Sequence, residues 1–90
     1  MAYVLVHHKV EDYNKWKAAY DEHSDFRSQY GSKGGRVFQS ADNPEELFVL
    51  LEWDNLDNAR NFARSDDLKE AMQQAGVVGM PDISFIEEAG

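Results

Sequence analysis

The chain has 90 residues and no cysteine, and its seventeen acidic side chains outnumber nine basic ones for a formal net charge of −8. That length corresponds to one domain over residues 1–90, with no room for a separate cofactor domain. The negative charge argues against nucleic acid as a partner, and the lack of cysteine excludes disulfides, a thiolate nucleophile and a cysteine metal site. The longest unbroken apolar run, Leu47 to Leu51, is too short to span a bilayer, so no membrane partner is expected. No basic-plus-apolar leader precedes the first strand, so a cytoplasmic location is expected.

Residues 2–10 are rich in β-branched and aromatic types and predict a strand. Val4, Val6, His8 and Val10 share one face, and Tyr3, Leu5, His7 and Lys9 share the other. Asp12 is a helix N-cap, because its carboxylate accepts from the free amides of the first turn. One helix is expected from there to about Tyr30, with Gly31 as its left-handed stop. Ser32 to Gly35 reads as a flexible connection, with Gly34-Gly35 as a bend or bulge at a strand start. Arg36 to Ala41 predicts a second strand, Asp42-Asn43-Pro44 a turn, and Glu46 to Trp53 a third strand. The short turn makes these two an antiparallel hairpin. Asp54 or Asn55 caps a helix that turns Leu56, Ala59, Phe62 and Ala63 inward. Ser65 interrupts it and caps a second segment, where Asp66 and Asp67 suit the positive end. Leu68, Ala71, Met72 and Ala75 continue the inward face until Gly76. Val77 to Pro81 reads as an apolar loop, and Asp82 to Glu88 as the last strand.

The order β-α-β-β-α-β specifies an α+β, ferredoxin-like fold: a four-stranded antiparallel sheet with helices on one face. The third strand is apolar on both faces, with Leu47, Val49 and Leu51 on one and Phe48 and Leu50 on the other. The helices can cover only one face, so a second cover is needed. In a chain this short, a second copy supplies it most simply. A homodimer with its sheets face to face is expected.

One stripe on the first helix stands out. At about 100° per residue, Trp16, Tyr20, His23, Arg27 and Tyr30 fall within an arc of about 80°. A face this aromatic packs inward. A histidine and an arginine in its middle need partners, from the fold or from a ligand.

The run His8-Lys9-Val10-Glu11-Asp12-Tyr13-Asn14-Lys15-Trp16-Lys17, then Asp21-Glu22-His23 and Arg27, resembles the antibiotic-biosynthesis-monooxygenase-like group. Glu52-Trp53 and Ala75-Gly76-Val77 extend the resemblance over essentially the whole chain. The group belongs to the dimeric α+β barrel superfamily. The resemblance implies a homodimer whose sheets form a barrel, with a pocket in each subunit between helices and sheet. Better-understood relatives oxidise polycyclic aromatics with dioxygen and no metal or flavin, degrade haem, or bind small molecules. The haem degraders hold iron through a histidine in the second helical half, and residues 56–75 here contain none.

Each candidate residue carries a functional and a structural reading. His23 is a general base of near-neutral pKa, or a helix histidine bonded to a backbone carbonyl or to Glu52. Arg27 holds a phenolate or carboxylate, or offsets the helix dipole and pairs with Asp25 or Glu22. His7 and His8 point to opposite faces. The apolar register makes His8 the interior one, either a second base or a satisfied core residue. His8, His23 and Glu52 would together suit a metal, but no compact ligand spacing supports one. Trp16, Tyr20, Trp53 and Phe62 are core residues or walls for a flat ring. Phe62, Leu68, Met72 and the Val77–Met80 loop complete a lining or lid. The resulting expectation is a homodimer that binds a small apolar or aromatic molecule. With no cofactor, it would act as an oxygenase on hydroxylated aromatic or polycyclic substrates. The alternative is a non-catalytic ligand-binding or structural module.

Overall fold

Eight elements follow one another in the computed structural model, which describes residues 2–90. They are β1 (Ala2–Val10), α1 (Tyr13–Glu22), α2 (Ser24–Tyr30), β2 (Ser32–Gln39), β3 (Glu46–Trp53), α3 (Leu56–Ala63), α4 (Asp66–Gln74) and β4 (Val77–Glu87). The strands form one antiparallel sheet in the order β2-β3-β1-β4. This is the ferredoxin-like plan that the element order specifies.

Register decides what faces the helices. Val4 pairs with Leu51 and Phe85, and Val6 with Val49 and Ile83. The even residues of β1 and the odd residues of β3 therefore share one face. They form the core, where Leu47 and Trp53 are wholly buried. The opposite face carries Leu5, Phe48 and Leu50, half-buried, and Phe38 and Ile86, 48% and 39% exposed. His7 lies on this face. Its ring stacks on Phe48 at 4.4 Å with 2° between planes, and Glu46 and Asp82 approach at 3.4 and 3.7 Å.

The caps are local. Asp12 accepts from the amides of Asn14 and Lys15 at 2.9 and 3.3 Å. Asn55, rather than Asp54, caps α3 by accepting from Asn58 N at 2.8 Å. The Ser65 hydroxyl accepts from Leu68 N at 3.1 Å and donates to the Phe62 carbonyl at 2.7 Å, which fixes the α3–α4 corner. Among the described residues no helix is long and apolar enough to cross a membrane.

Three expectations need correction. The first helix is not continuous to Tyr30, because His23 leaves helical geometry at φ −92°, ψ 13° and divides α1 from α2. Its backbone N–H and its ring Nδ1 both engage the Ala19 carbonyl, at 3.1 and 2.7 Å. A side chain competing for its own turn's acceptor is a known helix disruptor. β2 begins at Ser32 rather than Arg36 and ends at Gln39 rather than Ala41. The glycine pair does mark an irregularity, since the β2–β3 register shifts between Ser32 and Gly34. Val77–Pro81 is not a loop but the start of β4. Val77 and Val78 pair with Val10 and Lys9, and a bulge before Asp82 takes up the residues between. Pro81 is tolerated there because β4 is an edge strand with a bulge.

Candidate functional site

The candidate site is a cavity of about 70 Å³ between the helices and the buried face of the sheet. Val6 and His8 from β1, and Val49 and Leu51 from β3, make its floor. Trp16, Ala19 and Tyr20 from α1 make one wall, and Phe62 with Leu68, Ala71 and Met72 of the second helical pair make the other. His23, Phe26 and Arg27 stand at the α1–α2 break. His23, Phe26 and Ala71 also border a shallower outer groove of about 270 Å³, completed by Asp67, Glu70 and Gln74.

Six of the seven residues singled out from the sequence line this cavity: His8, Trp16, Tyr20, His23, Arg27 and Phe62. Trp53 does not. It lies fully buried against Phe62, ring centroids 4.9 Å apart, and its indole N–H has no hydrogen-bond partner. Val77–Met80 are not in the lining either, because they pair in β4 rather than folding over the helices. Phe26, which widens the face of the helix stripe, also lines the cavity, as do Val49 and Leu51, which a helix stripe does not reach. The alternation of β3 carried a signal for the latter two.

His8 is 6% exposed, and its Nδ1 is buried without a hydrogen-bond partner. Burial holds its pKa below the ordinary histidine value, so the ring is neutral at pH 7. The Trp16 ring meets it edge-on at 5.6 Å. A buried imidazole nitrogen without a partner carries an unrecovered desolvation cost.

His23 is oriented by the bond to Ala19. A carbonyl only accepts, so the ring donates through Nδ1, and in the neutral ring Nε2 is left as the acceptor. The backbone-carbonyl reading of His23 therefore holds, and it leaves Nε2 without a hydrogen-bond partner among the described residues. Glu52 plays no part: it pairs with Tyr3 on the opposite face of the sheet, so it cannot join His8 and His23 around a metal. Among the described residues, no three His, Asp or Glu side chains are grouped to hold a metal ion.

Arg27 pairs with neither Asp25 nor Glu22. Its Nη1 donates to the Tyr20 carbonyl at 2.8 Å, in the last turn of α1 where helical partners are missing. Its guanidinium lies 3.8 Å from the Tyr20 ring centroid. Tyr20 stacks in turn on Trp16 at 5.0 Å and 20°. Partial burial lowers the Arg27 pKa from its ordinary value, but an arginine keeps its charge in a protein. The wall is thus a four-member pile, His8, Trp16, Tyr20 and Arg27, with a neutral imidazole at one end and a cation at the other.

No family model and no curated protein matches the chain. Solved structures do match over nearly its whole length. A Bordetella bronchiseptica protein assigned to the antibiotic biosynthesis monooxygenases superposes with a TM-score of 0.81 at 15% identity, covering 98% of this chain and 96% of that one. SnoaB of Streptomyces nogalater, a cofactor-independent oxygenase, gives 0.78 at 9% identity over 99% and 93%. A conserved protein of Methanosarcina mazei gives 0.75 at 20% identity over 98% and 92%. The chain has the fold of the antibiotic biosynthesis monooxygenase-like proteins, as the sequence resemblance implies.

Proposed function

We propose that the chain forms a cytoplasmic homodimer and that each subunit binds a small hydroxylated aromatic in this cavity. It would act on that ligand as an oxygenase without a cofactor. The observation that carries the reading is that His8, with its unpartnered Nδ1, His23, with its Nδ1 committed to Ala19, and Arg27, without an ion-pair partner among the described residues, line one apolar chamber. Such a site can take a proton and hold the resulting anion.

The chemistry asked of the protein is modest. A histidine removes a proton from a phenol or from a ring methylene beside a carbonyl. The electron-rich carbanion form transfers an electron to dioxygen, and the radical pair combines to a hydroperoxide. For a methylene substrate, loss of water then leaves a new carbonyl. One oxygen atom enters the product, the other leaves as water, and the substrate supplies all the electrons. The fold shared with SnoaB, a cofactor-independent oxygenase, supports the reading. The test is oxygen uptake across a panel of anthrones and quinols. Uptake abolished by His23→Ala supports it, and no uptake with any member rejects it.

A second reading is a binding module without catalysis. The size of the chamber favours the structural form of that module, in which the space is filled core. An engineered cavity that accepts benzene measures about 150 Å³, and this one is about 70 Å³. Leu68 and Met72 would have to move for a polycycle to enter. A ligand that binds without oxygen uptake would select this reading.

The second copy in the proposal is placed against the apolar sheet face. That face presents Phe38, Phe48, Leu50 and Ile86, which the helices do not cover. The likeness to dimeric α+β barrels supports the same placement.

A further inference from the structure

The cation of the cavity is held by a single residue, and that residue is seated on a glycine. Both contacts of Arg27 belong to Tyr20: its carbonyl at 2.8 Å and its ring at 3.8 Å. Among the described residues no carboxylate lies within ion-pair distance of Arg27. Tyr20 therefore decides where the charge sits.

The hydroxyl end of Tyr20 rests on the sheet at Gly35. A Cβ at Gly35 would fall 2.6 Å from the Tyr20 hydroxyl oxygen and 2.7 Å from Leu51 Cδ2, against 3.4–4 Å for ordinary contact. Backbone conformation does not demand glycine here. The glycines with positive φ are Gly31, Gly34, Gly76 and Gly79, and Gly35 is not among them. Any residue could adopt the Gly35 backbone, so what demands glycine is the space taken by Tyr20 and Leu51. Gly35 pairs with Leu51, so its missing side chain is on the helix-facing side of β2.

We propose that Gly35 is a positioning residue for the cavity: a gap in β2 that seats Tyr20 and, through it, sets where the Arg27 charge meets a ligand. The ligand class is an aromatic whose hydroxyl ionises on binding. This role rests on the cavity being a ligand site, whereas the seating itself does not. Any side chain at 35 moves the hydroxyl by several tenths of an ångström or more. The ring makes room by turning about its side-chain torsions, and the guanidinium stacked on it at 3.8 Å shifts with it.

Two measurements test this. The first needs no ligand: the ring-current shift that Tyr20 imposes on the Arg27 side-chain protons, read by NMR. It should shrink in Gly35→Ala and return in Gly35→Ala/Tyr20→Phe, where the clashing oxygen is gone. The second uses 4-nitrophenol, whose absorbance reports ionisation, with neutral 4-nitroanisole as the control. Gly35→Ala should lower the ionised fraction of bound 4-nitrophenol about threefold at fixed pH by weakening the nearby charge. Its affinity for 4-nitroanisole should change little, and the double variant should recover ionisation.

An unchanged Arg27 shift in Gly35→Ala overturns the seating. If neither variant folds, the contact with Leu51 dominates, which also overturns it. If Gly35→Ala fails to fold and the double variant folds, the coupling to Tyr20 is supported. If the shifts behave as expected but wild-type protein binds neither probe, the seating stands. The positioning role then falls together with the binding reading.

Discussion

His23 ends the first helix by turning its ring back onto the carbonyl of Ala19, 2.7 Å from Nδ1. The same bond breaks the helix and fixes the tautomer of the neutral ring. A residue whose structural contact also sets its tautomer can be separated into the two roles by substitution. His23→Asn keeps a short side chain able to donate to a nearby carbonyl, yet lacks a titrating nitrogen. Its melting temperature should stay close to wild type, and oxygen uptake should fall by about 10²–10⁴-fold, the usual contribution of a general base. Equal loss of stability and activity would make His23 structural only.

The buried imidazole of His8 gives a pH prediction. Its pKa lies below the ordinary 6.5 because burial penalises the charged ring. As pH falls through that value, the unfolded chain takes up a proton that the folded chain resists, so stability drops. Above it both forms are neutral at this site and the effect vanishes. Urea midpoints should decline between about pH 7.5 and 5.5, above the carboxylate range. His8→Phe should flatten that decline, and an unchanged slope in the variant would put the effect elsewhere.

Trp53 separates packing from ligand contact. It is wholly buried, its N–H is unpartnered, and it lies behind Phe62 rather than in the cavity. Trp53→Phe removes both volume and an orphan donor, so the two effects offset and the net cost should stay below about 1.5 kcal/mol. Trp53→Ala should cost about 3–5 kcal/mol. Chemical denaturation measures both. Ligand affinity of Trp53→Phe should match wild type, in contrast to Trp16→Phe.

The open sheet face predicts an oligomer. Sedimentation equilibrium should give twice the 10.3 kDa chain mass. Leu50→Glu would bury an unpaired carboxylate against the second copy, a penalty of several kcal/mol that should weaken the dimer by about 100-fold or more. A wild-type mass of one chain would reject the dimer.

Much of this architecture was legible in the sequence, because the signals were local. Asp12 and Ser65 announced their caps, and the alternation in β1 and β3 placed His8 inside and His7 outside. The cluster of His8, Trp16, Tyr20, His23, Arg27 and Phe62 followed from helix periodicity and strand register together. What was not legible depended on contacts made at a distance or on one side chain overruling propensity. Helical periodicity continues through His23, so nothing in the pattern revealed that its ring would take the Ala19 carbonyl. Val77–Pro81 carries two turn-forming residues, and only pairing with Lys9 and Val10 makes it a strand. Trp53 looked like a cavity wall because the sequence does not say how deep a buried aromatic lies. The role of Gly35 was invisible for the same reason: a gap has meaning only once Tyr20 fills it.

The most direct test is heteronuclear NMR of the wild-type protein titrated with 1-naphthol, a neutral hydroxylated aromatic. Saturable shifts should appear at the rings of His8, Trp16 and His23 and at the Arg27 side chain, with His7 and Phe48 on the opposite sheet face unmoved. Shifts confined to His7 and Phe48, or none in the cavity at saturating ligand, would contradict the assignment of the cavity as the binding site.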